Sequence, residues 1–96
     1  MAKKEPVQER KVVVTIRSAD KRKPVTLDTW RYWEIVGELR WMGADYTQAT
    51  DAAKWAQRAK PGEINQVNLF VDERLFGERL PRYRKIGEIE MEVNNG

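Results

Sequence analysis

Apolar and polar residues alternate along some segments of the chain and recur every three to four positions along others, which separates strands from helices. Residues 12–16, Val-Val-Val-Thr-Ile, are all β-branched and form the first alternating segment. Because β-branched residues favour extended backbone, this segment is typical of a strand, and the apolar Val13 on its second side favours a central position in a sheet. The polar residues 1–10 are predicted to form a flexible N-terminal tail.

Two more alternating segments lie in the C-terminal third of the chain. The apolar positions of one are Val67, Leu69 and Val71, and those of the other are Ile89, Met91 and Val93. Glu88, Glu90 and Glu92 alternate with the last set, so the final strand is predicted to have one buried and one acidic face. Ile86 is out of phase with that set and is followed by Gly87, which predicts a β-bulge.

The first helix is predicted between these strands. It begins near Thr26 or Asp28, both acceptable N-cap residues, and ends near Met42, before Gly43. At about 100° per residue, its apolar residues fall on two arcs. The first arc, the core face, carries Tyr32, Ile35, Val36, Leu39 and Met42, and the second carries Trp30, Trp33, Gly37 and Trp41. A helix that is apolar around most of its circumference is usually buried on two sides.

The second helix has a capped start and an apolar face made mostly of alanine. Asp45 and Gln48 form the two ends of a predicted capping box, and Lys60-Pro61-Gly62 ends the helix. The apolar face carries Tyr46, Ala49, Ala52, Ala53, Ala56 and Ala59, with Trp55 at its margin. Alanine side chains bury little area, but they permit a neighbouring helix to approach closely.

Large residues on one helix and alanines on the next predict how the two pack. The short Gly43-Ala44 connection makes the helices neighbours in space. The alanine face is therefore expected to receive most of the tryptophan arc. Trp33 is the first candidate for burial, and Trp30 or Trp41 is expected to keep an exposed edge.

The element order predicted from these periods is strand, helix, helix, strand, strand. We interpret residues 11–94 as a single α+β domain. Its simplest architecture is a small antiparallel sheet of about three strands, order β-α-α-β-β, with two helices packed on one face.

Composition excludes several functions. The chain has 96 residues, with 18 Lys and Arg against 15 Asp and Glu, a net charge of +3, no Cys and no His. These absences exclude disulfides, thiolate nucleophiles, zinc fingers and imidazole bases. Ser18 is the only serine and no glycine-rich phosphate loop is present, so we expect neither enzymatic activity nor a cofactor. The acidic side chains of the last strand are spaced about 7 Å apart, too far for one ion, so we expect no metal.

The chain also lacks the marks of a membrane or secreted protein. Its apolar runs are only a few residues long, and its start, Met1-Ala2-Lys3-Lys4-Glu5-Pro6, lacks a signal-like hydrophobic stretch. We expect a soluble cytoplasmic protein. A small, cysteine-free chain of this kind would fit an accessory protein of a phage or mobile element.

The strongest basic signal lies between the last two strands. Its cations are Arg74, Arg79, Arg82, Arg84 and Lys85, against Glu78 alone, which gives +4 over residues 74–85. Phe76 and Tyr83 are interleaved with them, and nucleic-acid surfaces combine such rings with guanidinium groups. The alternative is a purely structural role, in which Arg82 and Arg84 pair with Glu88 and Glu90 across the hairpin. Lys21, Arg22 and Lys23 form a second cluster, at the same or the opposite end of the sheet.

Two functional hypotheses follow. In the first, the protein is a non-enzymatic interaction module, an inhibitor or adaptor that acts by occupancy, with Trp30, Trp41, Phe76 and Tyr83 as partner-binding anchors. In the alternative, it binds DNA or RNA through residues 74–85, together with the Lys21, Arg22 and Lys23 cluster. Self-association as a homodimer overlaps the first hypothesis, because a core this small gains from burying an aromatic patch.

Overall fold

The computed structural model describes residues 12–19 and 23–96, which form two helices on a four-stranded antiparallel sheet. The elements are β1 (Val12–Ser18), β2 (Val25–Asp28), α1 (Tyr32–Trp41), α2 (Tyr46–Arg58), β3 (Ile64–Asp72) and β4 (Tyr83–Asn95). In space the strands lie in the order β2-β1-β4-β3. The α+β class, the two helices and the central position of β1 are confirmed. The predicted tail, residues 1–10, lies outside the described residues.

The prediction of about three strands in the order β-α-α-β-β is wrong by one strand, β2. Sequence reasoning placed the start of a helix at Thr26 or Asp28, but these residues pair with β1. Val25 and Leu27 of this strand lie opposite Ile16 and Val14, and Leu27 packs against the core. Val25 and Leu27 do alternate with Thr26 and Asp28, but the two polar residues are also acceptable N-caps, and that signal was given precedence over a four-residue alternation.

The end of α1 and the start of α2 lie at signals that the sequence carries, whereas the start of α1 has no side-chain cap. Asp28 caps a turn rather than a helix, because its Oδ1 accepts the Trp30 N–H at 2.9 Å, and α1 starts only at Tyr32. The predicted end of α1 is confirmed, with Gly43 at φ 109°. The predicted capping box of α2 is also confirmed: Asp45 accepts the Gln48 N–H at 2.7 Å, and the Gln48 side chain accepts the Asp45 N–H at 3.2 Å.

The core lies between the helices and one face of the sheet. Its fully buried residues include Val14, Ile16, Ile35, Leu39, Ala49, Ala53, Ala56, Ile89, Met91 and Val93. Tyr32, Val36 and Met42 complete the predicted core face of α1. On the other face of the sheet, Arg17 pairs with two carboxylates of β4. Its Nη1 lies 3.5 Å from Glu90 Oε1 and 3.8 Å from Glu92 Oε1. The buried and acidic faces predicted for β4 are thus confirmed.

The last two strands extend beyond the rest of the sheet. β1 pairs with β4 only as far as Ser18 opposite Ile89, so the part of β4 nearer the loop has β3 as its one neighbour among the described strands. The register shifts between Leu69 and Phe70, which confirms the bulge predicted at Ile86. We call residues 70–86 the arm. None of its residues is buried. Neither described helix has the length and apolar character to cross a membrane.

Candidate partner-binding surfaces

Three exposed tryptophans lie on the outside of α1 or next to it: Trp33 and Trp41 on the helix itself and Trp30 in the turn just before it. Trp30 and Trp33 are 68% exposed and Trp41 is 75% exposed. The expected burial of Trp33 is therefore wrong, whereas the exposure expected for Trp30 or Trp41 holds for both. We call Trp30, Trp33, Gly37 and Trp41 the tryptophan face. Trp55, which the sequence placed at the margin of the alanine face, is half-buried against the core.

The reason for the error is the direction of the tryptophan arc. At about 100° per residue, the mean direction of Trp33 and Trp41 is roughly opposite that of Ile35 and Leu39, rather than beside it, and Trp30 lies in the turn before the helix. The alanines of α2 therefore pack with the aliphatic face of α1. This signal was present in the sequence, because the same helical geometry that defines the core arc also gives the angle between the two arcs.

The tryptophan face is flat in its middle and charged at its margins. Apart from Val36, Glu38 and the backbone of the helix itself, no heavy atom of the described residues lies within 4 Å of the point where a Cβ on Gly37 would stand. Trp33 meets the Tyr32 ring edge-on, with the centroids 4.8 Å apart. Beside the rings, Arg31 pairs with Glu34 at 2.9 Å, and Arg40 Nη1 donates to the Ala44 carbonyl at 3.3 Å.

Exposed aromatic surface of this size is unusual in a soluble protein. A tryptophan side chain has about 150–250 Å² to bury, so three rings at these exposures present on the order of 450 Å². Contiguous apolar patches of several hundred Å² mark interaction sites in soluble proteins. The tryptophan face is thus a candidate for contact with another polypeptide.

The arm is the second exposed apolar surface. Leu75, Phe76 and Leu80 are exposed in its loop. At its base, the exposed rings of Phe70 and Tyr83 lie edge to face with their centroids 6.4 Å apart. These two rings, with Asp45 and Gln48 of α2, line a cavity of about 440 Å³. The structure therefore leaves both predicted arm anchors, Phe76 and Tyr83, accessible.

The cations of the arm are largely matched by carboxylates. The pairs are Arg74–Asp72, Arg82–Glu78, Arg84–Glu73 and Lys85–Glu88. The pairing that the sequence suggested for Arg82 and Arg84, with Glu88 and Glu90, is wrong, although its principle of local neutralisation holds. Over residues 72–88, five cationic side chains against four carboxylates leave +1. The remaining cation, Arg79, pairs with no carboxylate in the described part of the chain.

Asp72 organises the loop of the arm, a role that sequence reasoning missed. Its Oδ1 accepts the backbone N–H groups of Arg74 at 3.0 Å and Arg82 at 3.1 Å, and its Oδ2 accepts Arg74 Nη2 at 2.6 Å. The Arg74 side chain and then the Arg82 N–H lower the pKa of Asp72. An Asp at the end of a strand, two residues before an Arg, is a usable signal, because Asp commonly accepts the N–H two residues on.

Lys23, the one described residue of the second basic cluster, lies at the same end of the sheet as the arm. Ser18 pairs with Ile89, and the Ala19 N–H donates to the Glu88 carbonyl at 3.2 Å, so β1 ends beside the base of the arm. Lys23, which precedes β2, is exposed at this end. Lys21 and Arg22 lie outside the described residues.

The chain matches no protein-family model, no curated protein and no solved structure. Within residues 12–19 and 23–96, no three acidic side chains form a group able to hold a metal ion. The tryptophan face and the arm are therefore interpreted from their own chemistry.

Proposed function

We propose that the protein is a non-catalytic protein-interaction module, an inhibitor or adaptor that acts by occupancy, and that the arm inserts into an apolar groove of its partner. The observation that carries this proposal is the combination of exposed large apolar side chains with neutralised cations on the arm. Leu75, Phe76 and Leu80 are held on a projecting hairpin, where an incoming groove can bury them. Aromatic anchors of this kind dominate the free energy of protein interfaces.

The charge of the arm supports a protein partner over nucleic acid. Phosphate binding depends on cations that are free to replace counterions, and each guanidinium already paired with a carboxylate contributes less. Arg79 remains available, so the proposed groove is expected to carry a carboxylate beside its apolar floor. Charge-assisted pairing at that point would fix the orientation of the arm.

Nucleic-acid binding remains the alternative, and one observation favours it. Lys23 lies at the same end of the sheet as the arm, so a backbone that crosses this end could meet both Lys23 and Arg79. Phe76 and Tyr83 would then offer rings for base stacking. This arrangement predicts strong salt dependence, because each phosphate contact releases a counterion.

Matched variants of the arm distinguish the two functions. Phe76→Ser with Leu80→Ser removes apolar surface and leaves the charge unchanged, whereas Arg79→Ser with Lys23→Ser removes charge and leaves the apolar surface. Each protein is immobilised and exposed to nuclease-treated lysate from its own source at low and moderate salt. Binding of each to labelled single- and double-stranded DNA and RNA pools is measured in parallel.

The proposed function predicts a retained protein that survives moderate salt, is bound more weakly but still detectably by the charge variant because the Arg79 pair is lost, and is lost with the apolar variant. Circular dichroism of both variants serves as the control for folding. Retention that is equal for wild type and the apolar variant contradicts the proposal. Nucleic-acid binding that weakens steeply with salt and disappears in the charge variant replaces it with the alternative.

A further inference from the structure

β3 lies at the edge of the sheet, and β4 is its one partner among the described strands. In an antiparallel pair, successive residues direct their N–H and C=O groups alternately towards the neighbouring strand and away from it. Glu63 faces β4, because its carbonyl accepts the Val93 N–H at 3.0 Å. Asn68 faces away, because its carbonyl accepts Gln48 Nε2 of α2 at 2.9 Å. The even-numbered residues of β3 before the bulge therefore direct their backbone groups outwards.

Two of these residues, Ile64 and Gln66, leave the edge open to a further strand. Both are exposed. Residues 64–70 contain no charged residue and no proline, although 34% of the chain is charged. Edge strands usually carry charged residues or proline, or are very short, which prevents pairing with other chains. The opposite edge strand, β2, has only four residues and directly follows Lys23 and Pro24, so β3 is the edge suited to accept an added strand.

A groove of about 510 Å³ follows this edge on the side of α2. Its lining includes residues 65–68 of β3 and Asp51, Trp55 and Arg58 of α2. The three helix residues are four and three positions apart, so they form one line along α2. Asp51 and Arg58 are exposed, and neither forms an ion pair with another described residue. The groove therefore has a carboxylate at one end, an indole in its middle and a guanidinium at the other end.

α2 and β3 run in opposite directions along this groove. Gln48, near the start of α2, contacts Asn68, and a short connection joins the end of α2 to the start of β3. From Gln48, Asp51 lies about 4.5 Å, Trp55 about 10.5 Å and Arg58 about 15 Å further along the helix axis. At about 3.4 Å per strand residue, these three lie roughly level with positions 67, 65 and 63 of the chain.

We propose that the outer edge of β3 is a second binding site, separate from the loop of the arm, which takes an extended segment of a partner protein as an added antiparallel strand. The N–H and C=O groups of Ile64 and Gln66 pair with the backbone of that segment and supply affinity. Its alternate side chains fill the groove beside α2 and supply specificity. The Gln48 side chain on Asn68 marks the end of the free edge, so the added strand is short.

The charges along the groove define the occupant. A strand antiparallel to β3 begins at Asp51 and finishes at Arg58, so its helix-facing side chains meet a carboxylate, an indole and a guanidinium in turn. The complementary segment carries a cation, an apolar residue and a carboxylate at alternate positions. β3 of a second copy has no charged residue between positions 64 and 70, so a segment of another protein is favoured over pairing between two copies.

Two labelled peptides with blocked ends test this specificity. Lys-Thr-Val-Thr-Glu matches the groove as an antiparallel strand. Glu-Thr-Val-Thr-Lys has the same composition but matches the charges only as a parallel strand, which pairs less stably. Fluorescence anisotropy with the full chain, up to millimolar protein, measures both affinities. We expect the first peptide to bind at least about threefold more tightly.

Methylation of the peptide backbone tests strand pairing without a change in the protein. In the first peptide the two Thr residues lie opposite Gln66 and Ile64, and their N–H groups face β3. N-methylation of both should weaken binding at least about tenfold, which corresponds to about 1.4 kcal/mol. N-methylation of the Val residue, whose N–H faces away from β3, is the matched control and should have little effect.

Gln66→Pro provides the reciprocal test in the protein. Proline is tolerated on an edge strand where the N–H faces outwards, so this variant removes a donor from the edge and leaves the pairing of β3 with β4 intact. It should weaken binding of the first peptide at least about tenfold. Thermal unfolding followed by circular dichroism is the control for folding.

Reversal of the two groove charges tests the direction of the added strand. Asp51→Arg with Arg58→Asp keeps the net charge of the protein and exchanges the two ends of the groove. The variant should prefer Glu-Thr-Val-Thr-Lys over Lys-Thr-Val-Thr-Glu, because the antiparallel orientation then needs the opposite order of charges.

Failure of both peptides to bind at millimolar protein overturns the proposal. Binding that survives N-methylation of the Thr residues or Gln66→Pro, or a preference that the charge exchange does not reverse, also overturns it. Self-association that Gln66→Pro abolishes, without peptide binding, overturns it by assigning the edge to a second copy. The result is independent of the proposed function, since Phe76→Ser with Leu80→Ser should leave peptide binding intact and Gln66→Pro should leave the arm able to bind.

Discussion

The tryptophan face and the arm both expose aromatic rings, but they are held in place by different interactions. The tryptophan face lies on a helix whose opposite side is fully buried through Ile35 and Leu39. The arm has no buried residue, and its loop is held by the hydrogen bonds of Asp72 and by surface ion pairs. A surface positioned by core packing moves only when the protein unfolds, whereas one positioned by exposed polar contacts can lose its order locally.

The largest expected effect separates the two sides of α1. Leu39→Ala removes a fully buried side chain and should lower the free energy of unfolding by about 2–5 kcal/mol. Trp33→Ala on the opposite side should change the free energy of unfolding of the monomer by no more than about 0.5 kcal/mol. Urea unfolding at a concentration where the protein is monomeric measures both. A loss at Trp33 as large as that at Leu39 would mean that the indole is part of the core.

A smaller effect is expected at two glycines, one in the middle of the tryptophan face and one just after α1. Gly37→Ala should stabilise the monomer by about 0.5–1 kcal/mol, because alanine favours the helix and meets no neighbouring element. Gly43→Ala is the matched control. It should destabilise the protein, since Gly43 has φ 109° and an added Cβ would lie 3.4 Å from Leu69 Cδ1. Urea unfolding of both variants checks this, and destabilisation by Gly37→Ala in the monomer would show that this side of α1 is packed.

The arm should respond locally to a change that removes its central carboxylate. Asp72→Asn should speed hydrogen exchange at the Arg74 and Arg82 amides, because the charged acceptor of both N–H groups is lost, while exchange in α1 stays unchanged. Glu78→Gln removes an ion pair without touching those amides and is the control. Equal protection in wild type and Asp72→Asn would contradict the role assigned to Asp72.

Acid should reproduce part of that effect. Because the folded-state pKa of Asp72 lies below the ordinary value of 3.8, its contribution to the arm is complete well above that value and is lost as the pH falls through the lowered pKa. Amide chemical shifts of Arg74 and Arg82, followed from neutral to strongly acidic pH, should therefore titrate with a midpoint below 3.8. A midpoint at or above the ordinary value would show that the folded arm does not stabilise the Asp72 carboxylate.

Long periodic segments and strong local signals account for what the sequence predicted. The capping box at Asp45 and Gln48, the bulge at Ile86 and the buried face of β4 each depend on residues close together in the chain. The strand β2 was missed because its four-residue alternation competes with Thr26 and Asp28 as N-cap signals, and only the pairing with β1 decides between them. The arm ion pairs were misassigned because they depend on the path of the loop between β3 and β4, which no local rule defines.

The error at Trp33 has a different cause. Residue size and apolar character favoured burial, and the alanine face of α2 offered a plausible receiving surface. The helical angle between the two arcs was the better guide, because a single helix cannot direct opposite sides into one core. Trp33 and Trp41 on the outer side of α1, and Trp30 in the turn before it, therefore lie outside the hydrophobic core.

The central claim is that this small protein places most of its tryptophans on a surface rather than in its core. The most direct measurement is the solvent isotope shift of fluorine resonances in the 5-fluorotryptophan-labelled protein, with each line assigned by single Trp→Phe substitution. We predict large shifts between H₂O and D₂O for Trp30, Trp33 and Trp41, and a smaller one for the half-buried Trp55. Shifts at Trp30, Trp33 and Trp41 as small as that at Trp55 would contradict the claim.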